Sequence, residues 1–238
     1  MKRIGLTRDG LVAALVVGIV VLACTGWQGA LVLFAFFIPS TLLSRLGKTR
    51  KQRLVDIGKT GPRDALQVLA NGAVAALAAL VALRAGAPAL AAFAGAFAAC
   101  SADTWATELG TLARGAPRSL LTFRRLAPGL SGGVTWQGSL AQCAGAALVA
   151  LVATVVHVAP FWPVAVAGVA GSLLDSLLGA TIQTLRYCPA CERDCETNPH
   201  VCGTPTALRR GLSWFDNDAV NGAASLCGAL VAAALVLR

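Results

Sequence analysis

Charge is what this sequence most lacks. Only 13% of its 238 residues are charged while 56% are hydrophobic, and the mean hydropathy is +0.70. A water-soluble domain of this length rarely shows that balance, so water is not the main solvent of the fold. Acids are scarcer than bases, 11 against 20, which leaves a net charge of +9. That excess does not point to nucleic acid, because Lys and Arg collect in the cytoplasmic loops of membrane proteins for topological reasons. Histidine is scarce too: His157 falls to the outer side and His200 to a Cys-rich loop, so no Ser/His/Asp arrangement forms. No fixed-period repeat is present. Gly58-Lys59-Thr60 is not a Walker A loop, since position 53 is Arg where the earlier glycine is needed.

What is present is a series of long apolar runs. A spanning helix needs about 20 mostly apolar residues, and seven runs qualify: Leu11 to Thr25 (the shortest), Gln28 to Ser44, Ala65 to Leu83, Ala89 to Leu109, Val134 to Val156, Val164 to Ile182 and Ala219 to Leu237. The expected fold is all-α, a polytopic membrane bundle of about seven helices making one membrane domain over residues 1–238. With the N-terminus in the cytoplasm and the C-terminus outside, all Lys and Arg except Arg84 and Arg238 lie on the cytoplasmic side. That side carries the long loops 45–63, 114–133 and 186–216, which places the active face in the cytoplasm and the protein in a cell membrane, the bacterial inner membrane. Val21-Leu22-Ala23-Cys24 has the look of a lipoprotein signal, but the apolar run resumes at Ala30 with almost no polar sequence between. Gly145, Gly168, Gly171 and Gly179 suit close helix packing in lipid.

Against this background the polar residues in or near spans stand out. Asp103, Glu108 and Asp175 interrupt apolar runs, and an ionised carboxylate at helix centre costs about 2.5–3.5 kcal/mol even on a lenient scale. A cation between the helix of Asp103 and Glu108 and that of Asp175 would satisfy them; pairing with an Arg at the membrane surface is an equal reading for Glu108. Asp64, Gln67 and Asn71 share one face of a helix start, where Lys59 and Arg63 can hold phosphate beside the N-terminal amides. Pro128 to Thr135, with Ser131, Gly132 and Gly133, leads into another helix and can turn backbone amides toward an anion; a plain helix breaker is the alternative. In the last cluster, Asp216 or Asn217 can cap a helix, whereas Asp218 and Asn221, with Asn217, offer oxygens suited to Mg²⁺ or its phosphate complex.

Cys188, Cys191, Cys195 and Cys202 stand with His200 in a loop assigned to the reducing side, so disulfides are disfavoured and a tetrahedral structural zinc site is the reading. Five donors leave one spare. Cys24, Cys100, Cys143 and Cys227 lie in spans as small packing residues.

Five segments in order, Gly61-Pro62-Arg63-Asp64-Ala65-Leu66-Gln67-Val68-Leu69-Ala70-Asn71-Gly72, Ala102-Asp103-Thr104-Trp105-Ala106-Thr107-Glu108-Leu109-Gly110, Gly129-Leu130-Ser131-Gly132-Gly133-Val134-Thr135, Gly171-Ser172-Leu173-Leu174-Asp175-Ser176 and Asn217-Asp218-Ala219-Val220-Asn221, resemble one membrane family. It is the family containing plant phytyl-phosphate kinase and animal transmembrane protein nineteen. The resemblance implies transfer of a phosphoryl group from a nucleoside triphosphate, CTP in the plant case, to an isoprenoid monophosphate such as phytyl or geranylgeranyl phosphate. It makes Asp103, Glu108, Asp175 and Asp218 candidate Mg²⁺ ligands. Arg63, Gln67, Asn71, Ser131, Gly132, Gly133, Asn217 and Asn221 become candidate phosphate or nucleotide contacts. The partners expected are membrane lipid, an isoprenoid phosphate and a nucleotide, with no nucleic acid. A transporter or flippase for a lipid phosphate or another anion is the rival expectation.

Overall fold

Long apolar segments in this chain end where a cap or a glycine stops them, and those stops set the architecture. The computed structural model describes residues 5–46, 61–113 and 115–238. Among these, six helices are long and apolar enough to cross a membrane. They are α1 (Arg8–Arg45), α2 (Ala65–Ala85), α3 (Ala87–Gly110), α4 (Trp136–Val155), α5 (Phe161–Thr181) and α6 (Asn217–Val236).

The first of them crosses twice. Gly26, at φ 66° and ψ −164°, breaks α1 into two arms, a conformation that glycine reaches without a Cβ penalty. The amide of Thr7 donates to the Arg63 carbonyl (3.0 Å), and the Arg63 guanidinium donates to the Ser44 hydroxyl (3.2 Å). Both ends of α1 thus meet one residue, although 38 residues of straight helix would hold them about 57 Å apart. The arms therefore form a hairpin, and the seven expected passages are present.

Each remaining helix has a local reason to begin. Asp64 and Gln67 make a reciprocal capping box at α2, Thr135 accepts from the Gly138 amide at α4, and Asp216 accepts from the Asp218 and Ala219 amides at α6. Gly86, at φ 63°, closes α2 and opens α3, whose first turn contains Pro88.

Helix α3 is the central helix: 67% of its apolar window is buried, against 22–44% in the others. It packs against α2, α4, α5 and α6. Small residues allow this. A Cβ on Gly95 would lie 2.5 Å from the Gly228 carbonyl oxygen of α6, one on Gly168 would lie 2.7 Å from the Ala146 Cβ, and one on Gly145 2.9 Å from the Ser101 carbonyl oxygen. Lipid offers helices no hydrophobic reason to associate, so this close backbone approach supplies the dispersion contacts that do. Phe93 and Phe97 pack edge to face at 5.3 Å, and Phe36 stacks on Phe97 at 5.5 Å. Many Leu and Ile side chains project outward along the helices, whereas valines such as Val21, Val32, Val149 and Val164 turn inward. Trp27 (62% exposed) and Trp162 (73%) mark one end of the bundle, Trp136 (68%) and Trp214 (69%) the other, the two levels at which indole rings favour a bilayer interface.

Between the helices the chain departs from the all-α expectation in two small antiparallel sheets. Strand β1 (Arg118–Ser119) pairs with β2 (Gly133–Val134); β3 (Leu185–Cys188) lies between β4 (Arg193–Cys195) and β5 (Ala207–Arg210). Strands of two to four residues carry too little alternation to be read from sequence. Val134, expected to begin a span, instead pairs with Arg118.

Candidate functional site

The connections that join α3 to α4 and α5 to α6 meet at the end of the bundle where Arg63 ties the ends of α1. Together with the helix ends they enclose a cavity of about 830 Å³. Five helical segments place polar side chains on its wall: Gln67 of α2, Asp103 and Thr107 of α3, Gln142 of α4, Asp175 and Ser176 of α5, Asn217 and Asp218 of α6.

Asp103 and Asp175 form its floor. Their carboxyl groups interact directly with each other, and Glu196 is near enough to act on Asp175. Asp175 Oδ2 is buried without a hydrogen-bond partner. A buried polar atom left unsatisfied costs about 1–3 kcal/mol, more when charged. Two acids in contact are satisfied by a shared proton or by a cation between them.

The turn at 128–135 also lines the cavity, packed on the end of α5. Gly132 has φ 79°, and a Cβ there would lie 2.5 Å from the Ala180 amide nitrogen at the end of α5. Gly179 answers it across the contact, 2.7 Å from the Gly132 nitrogen by the same construction. Nothing larger than hydrogen fits on either side, which locks the turn onto α5. The Ser131 amide donates to Glu196 Oε1 (2.8 Å), while its hydroxyl accepts from Gln183 Nε2 (2.9 Å). A carboxylate thus sits where the sequence expects an anion. Burial pushes the Glu196 carboxyl above its usual range, with the Ser131 bond acting against that rise.

Of the residues singled out from sequence, Gln67, Asp103, Ser131, Gly132, Gly133, Asp175, Asn217 and Asp218 line the cavity. Others stand behind it. Asp64 is occupied as the cap of α2; the Asn71 side chain donates to the Gln67 carbonyl (2.9 Å), and its own carbonyl accepts from Cys100 Sγ (3.3 Å). Arg63 lies near Glu108, and burial lowers the Arg63 pKa while Glu108 raises it. Neither Arg63, Glu108 nor Asn221 is among the lining residues. Lys59 lies outside the described residues.

Sequence reasoning missed Glu196, Gln183, Gln142 and Arg186, all on the wall. Glu196 directly follows Cys195 and Gln183 follows a span, so only their tertiary position reveals them. Gln142 had a signal, an amide inside an apolar run, and its side chain donates to the Val169 carbonyl (3.3 Å).

A second cluster lies in the loop of β3 to β5. One donor atom from each of Cys188, Cys191, His200 and Cys202 lies within 4.8 Å of the others. Cys195, the fifth candidate, stays out of it and donates instead to the Thr197 carbonyl (3.8 Å). Hydrogen bonds from Thr204 and His200 pull the Cys202 thiol down to about 5, whereas the neighbouring Cys202 holds Cys191 up at about 11.

Comparison with known proteins finds relatives of the chain. Protein PGR of Arabidopsis thaliana is 29% identical, over 92% of this chain and 85% of its own length. An uncharacterized membrane protein of Methanocaldococcus jannaschii is 32% identical over 75% of each chain. Another, from Synechocystis, is 27% identical over 95% of this chain and 81% of its own. No solved structure matches significantly. The model of one family covers residues 1–229, and the chain belongs to it: the integral membrane protein family DUF92.

Proposed function

We propose that the cavity is the active site of a Mg²⁺-dependent kinase that uses CTP to convert an isoprenoid monophosphate of the phytyl or geranylgeranyl type to the diphosphate, at the cytoplasmic face of a cell membrane. The observation that carries this reading is the contacting pair Asp103 and Asp175 sharing one cavity with a glycine turn whose Ser131 amide already holds a carboxylate oxygen. Phosphoryl transfer asks a protein chiefly to position two anions and neutralise their charge. Carboxylates for a metal and amides for phosphate are the groups that do so.

The donors fit magnesium. Asp103, Asp175 and Asp218 offer only oxygens, Asp175 Oδ2 has no other partner, and Mg²⁺ is usually held by a few carboxylates together with substrate phosphates. When bound, the ion would draw charge from the phosphate oxygens. The Ser131 hydroxyl, the Gly132 and Gly133 amides, Gln67 and Asn217 would grip the phosphates, with Glu108, Arg63 and Asn71 supporting them from behind, and Lys59 and Asn221 remain phosphate candidates from the sequence. An oxygen of the acceptor phosphate attacks the γ-phosphorus. The bond from that phosphorus to the bridging oxygen breaks, and the nucleoside diphosphate leaves with the electron pair. No protein nucleophile is required.

A shallower apolar groove of Trp105, Leu109, Leu112 and Leu140 shares Ala113 with the cavity and opens on the lipid-facing side of α3 and α4. It gives an isoprenoid tail a way into lipid while its phosphate stays in the cavity.

The test is transfer of labelled phosphate from CTP, ATP and GTP to phytyl and geranylgeranyl monophosphate by purified protein, beside Asp103→Asn. Diphosphate made by the wild type and lost in the variant supports the kinase. Folded protein that transfers to neither acceptor from any nucleotide sinks it, and transport of a lipid phosphate then becomes the leading reading.

A further inference from the structure

The segment from Ile182 to Asp216 has no hydrophobic core. Its buried side chains are Gln183, Thr184, Cys188, Cys195, His200 and Thr206, with no aliphatic or aromatic residue among them. Three short strands alone do not hold a segment of this kind, and small units without a core usually depend on a disulfide or a metal. Every cysteine in it is a free thiol.

We propose that Cys188, Cys191, His200 and Cys202 bind one Zn²⁺, and that this ion is the clasp that holds the segment as a wall of the cavity. Cys188 ends β3 and Cys191 lies in the β3–β4 turn, with Glu192 in the left-handed region at φ 49° bringing the chain back. His200 and Cys202 come from a second turn, closed by the Gly203 amide on the His200 carbonyl (2.8 Å). Cys188 Sγ and Cys202 Sγ are 3.6 Å apart, and His200 Nδ1 lies 3.1 Å from Cys202 Sγ. A tetrahedron with Zn–S bonds of about 2.3 Å has S–S edges of about 3.7 Å. The Cys188–Cys202 distance matches that edge, all four donor atoms lie within 4.8 Å of one another, and three thiols with one imidazole select a soft-to-borderline cation over Mg²⁺ or Ca²⁺. Cys191 and Cys202 are exposed, so an ion can enter.

The consequence reaches the cavity along a short path. Glu196 follows β4 and anchors on the Ser131 amide and on Gln183 Nε2 (3.3 Å). From β5, the Arg210 guanidinium donates to the Gly179 carbonyl (2.8 Å), on the helix that carries Asp175. Folding the two turns around one ion fixes β5, which carries Arg210, and β4, which Glu196 directly follows. The loop holds its ion whether or not the cavity transfers phosphate.

The full-length protein, purified in detergent without chelator, is assayed for zinc by plasma mass spectrometry. We expect one zinc per chain in the wild type and in Cys195→Ser, and less than a tenth of that in Cys191→Ser and Cys202→Ser. Wild-type protein loaded with Co²⁺ gives a second readout, independent of variant folding, as the visible absorption bands of tetrahedral thiolate ligation. Trypsin reports the clasp: stripping the metal with dipicolinate should raise cleavage after Arg193 and Arg209 at least tenfold while the helices stay intact. Monodisperse wild type that neither contains zinc nor takes up Co²⁺ overturns the site. Equal zinc loss in Cys195→Ser overturns the ligand set, and unchanged cleavage on stripping overturns the clasp.

Discussion

The two ends of the bundle are built from opposite materials, and α3 runs through both. Toward the end closed by Gly26 and Gly86, α3 is an unbroken buried stripe from Phe93 to Ala102, with its Gly95 pressed against Gly228 and Ala232 too closely to admit a Cβ. Immediately beyond, toward the end tied by Arg63, the same helix turns Asp103 and Thr107 into an 830 Å³ cavity. The difference teaches how a membrane protein tolerates expensive groups. Dense packing of small residues at one end fixes the helices firmly enough that carboxylates can be held close together at the other, where relaxation would otherwise draw them apart.

Removing charge at the open end should have the largest effect. Asp103→Asn or Asp175→Asn should lower phosphate transfer by on the order of 10³-fold, about 4 kcal/mol of barrier, while leaving thermal unfolding in detergent unchanged or raised, because the change removes a repulsive contact. A variant that loses activity and folding together would mean that the pair is structural. At the closed end the pattern inverts. Gly228→Leu would drive a side chain into the Gly95 carbonyl and Ala99 and should destabilise the bundle by about 1–3 kcal/mol or more through overpacking. The loss should appear as a lower unfolding temperature, with kcat per folded molecule little changed. A kcat that falls as far as in the Asp variants would show that the ends are not separable.

Gly132→Ala tests the joint between helices and cavity. The left-handed φ and the Ala180 backbone both oppose a Cβ, so the turn must lift from α5 and carry the Ser131 amide with it. Transfer should drop roughly 10- to 100-fold, about 1.4–2.7 kcal/mol, chiefly as a raised KM for nucleotide. Unchanged KM would mean that the turn does not touch phosphate.

Part of this division is legible in the sequence. Apolar length marks the spans, and the pause at Gly26 to Trp27 marks the hairpin of α1, because lipid tolerates little else. Asp103 and Asp175 stand out because a carboxylate in an apolar run needs a partner, and the structure puts the two in contact. The same logic could not find Glu196 or Gln183, which lie in a polar loop where another polar residue carries no surprise. Nor could spacing choose which four of the five Cys and His donors cluster. That choice is made by the β3–β4 register, which pairs Cys195 with Arg186, while the β3–β4 turn brings Cys188 and Cys191 together. Asp64 and Gln67 read alike as phosphate contacts, yet the capping box occupies the Asp64 carboxylate and the Gln67 amide oxygen, leaving the Gln67 side chain on the wall.

Glu108 is where the comparison is finest, because it shares a helix with Asp103 and lies outside the cavity wall. Its neighbour is Arg63, which also joins the ends of α1 through the Thr7 amide and the Ser44 hydroxyl. A half-buried pair of this kind contributes about 1 kcal/mol. Glu108→Gln should therefore lower the unfolding temperature slightly and reduce transfer less than tenfold. The double variant with Arg63→Ala should be less destabilised than the sum of the single ones, since residues in contact do not act additively. If Glu108→Gln instead silences transfer as fully as Asp103→Asn, with stability intact, the carboxylate reaches the metal during turnover and the cavity floor extends one more helical turn toward the rim.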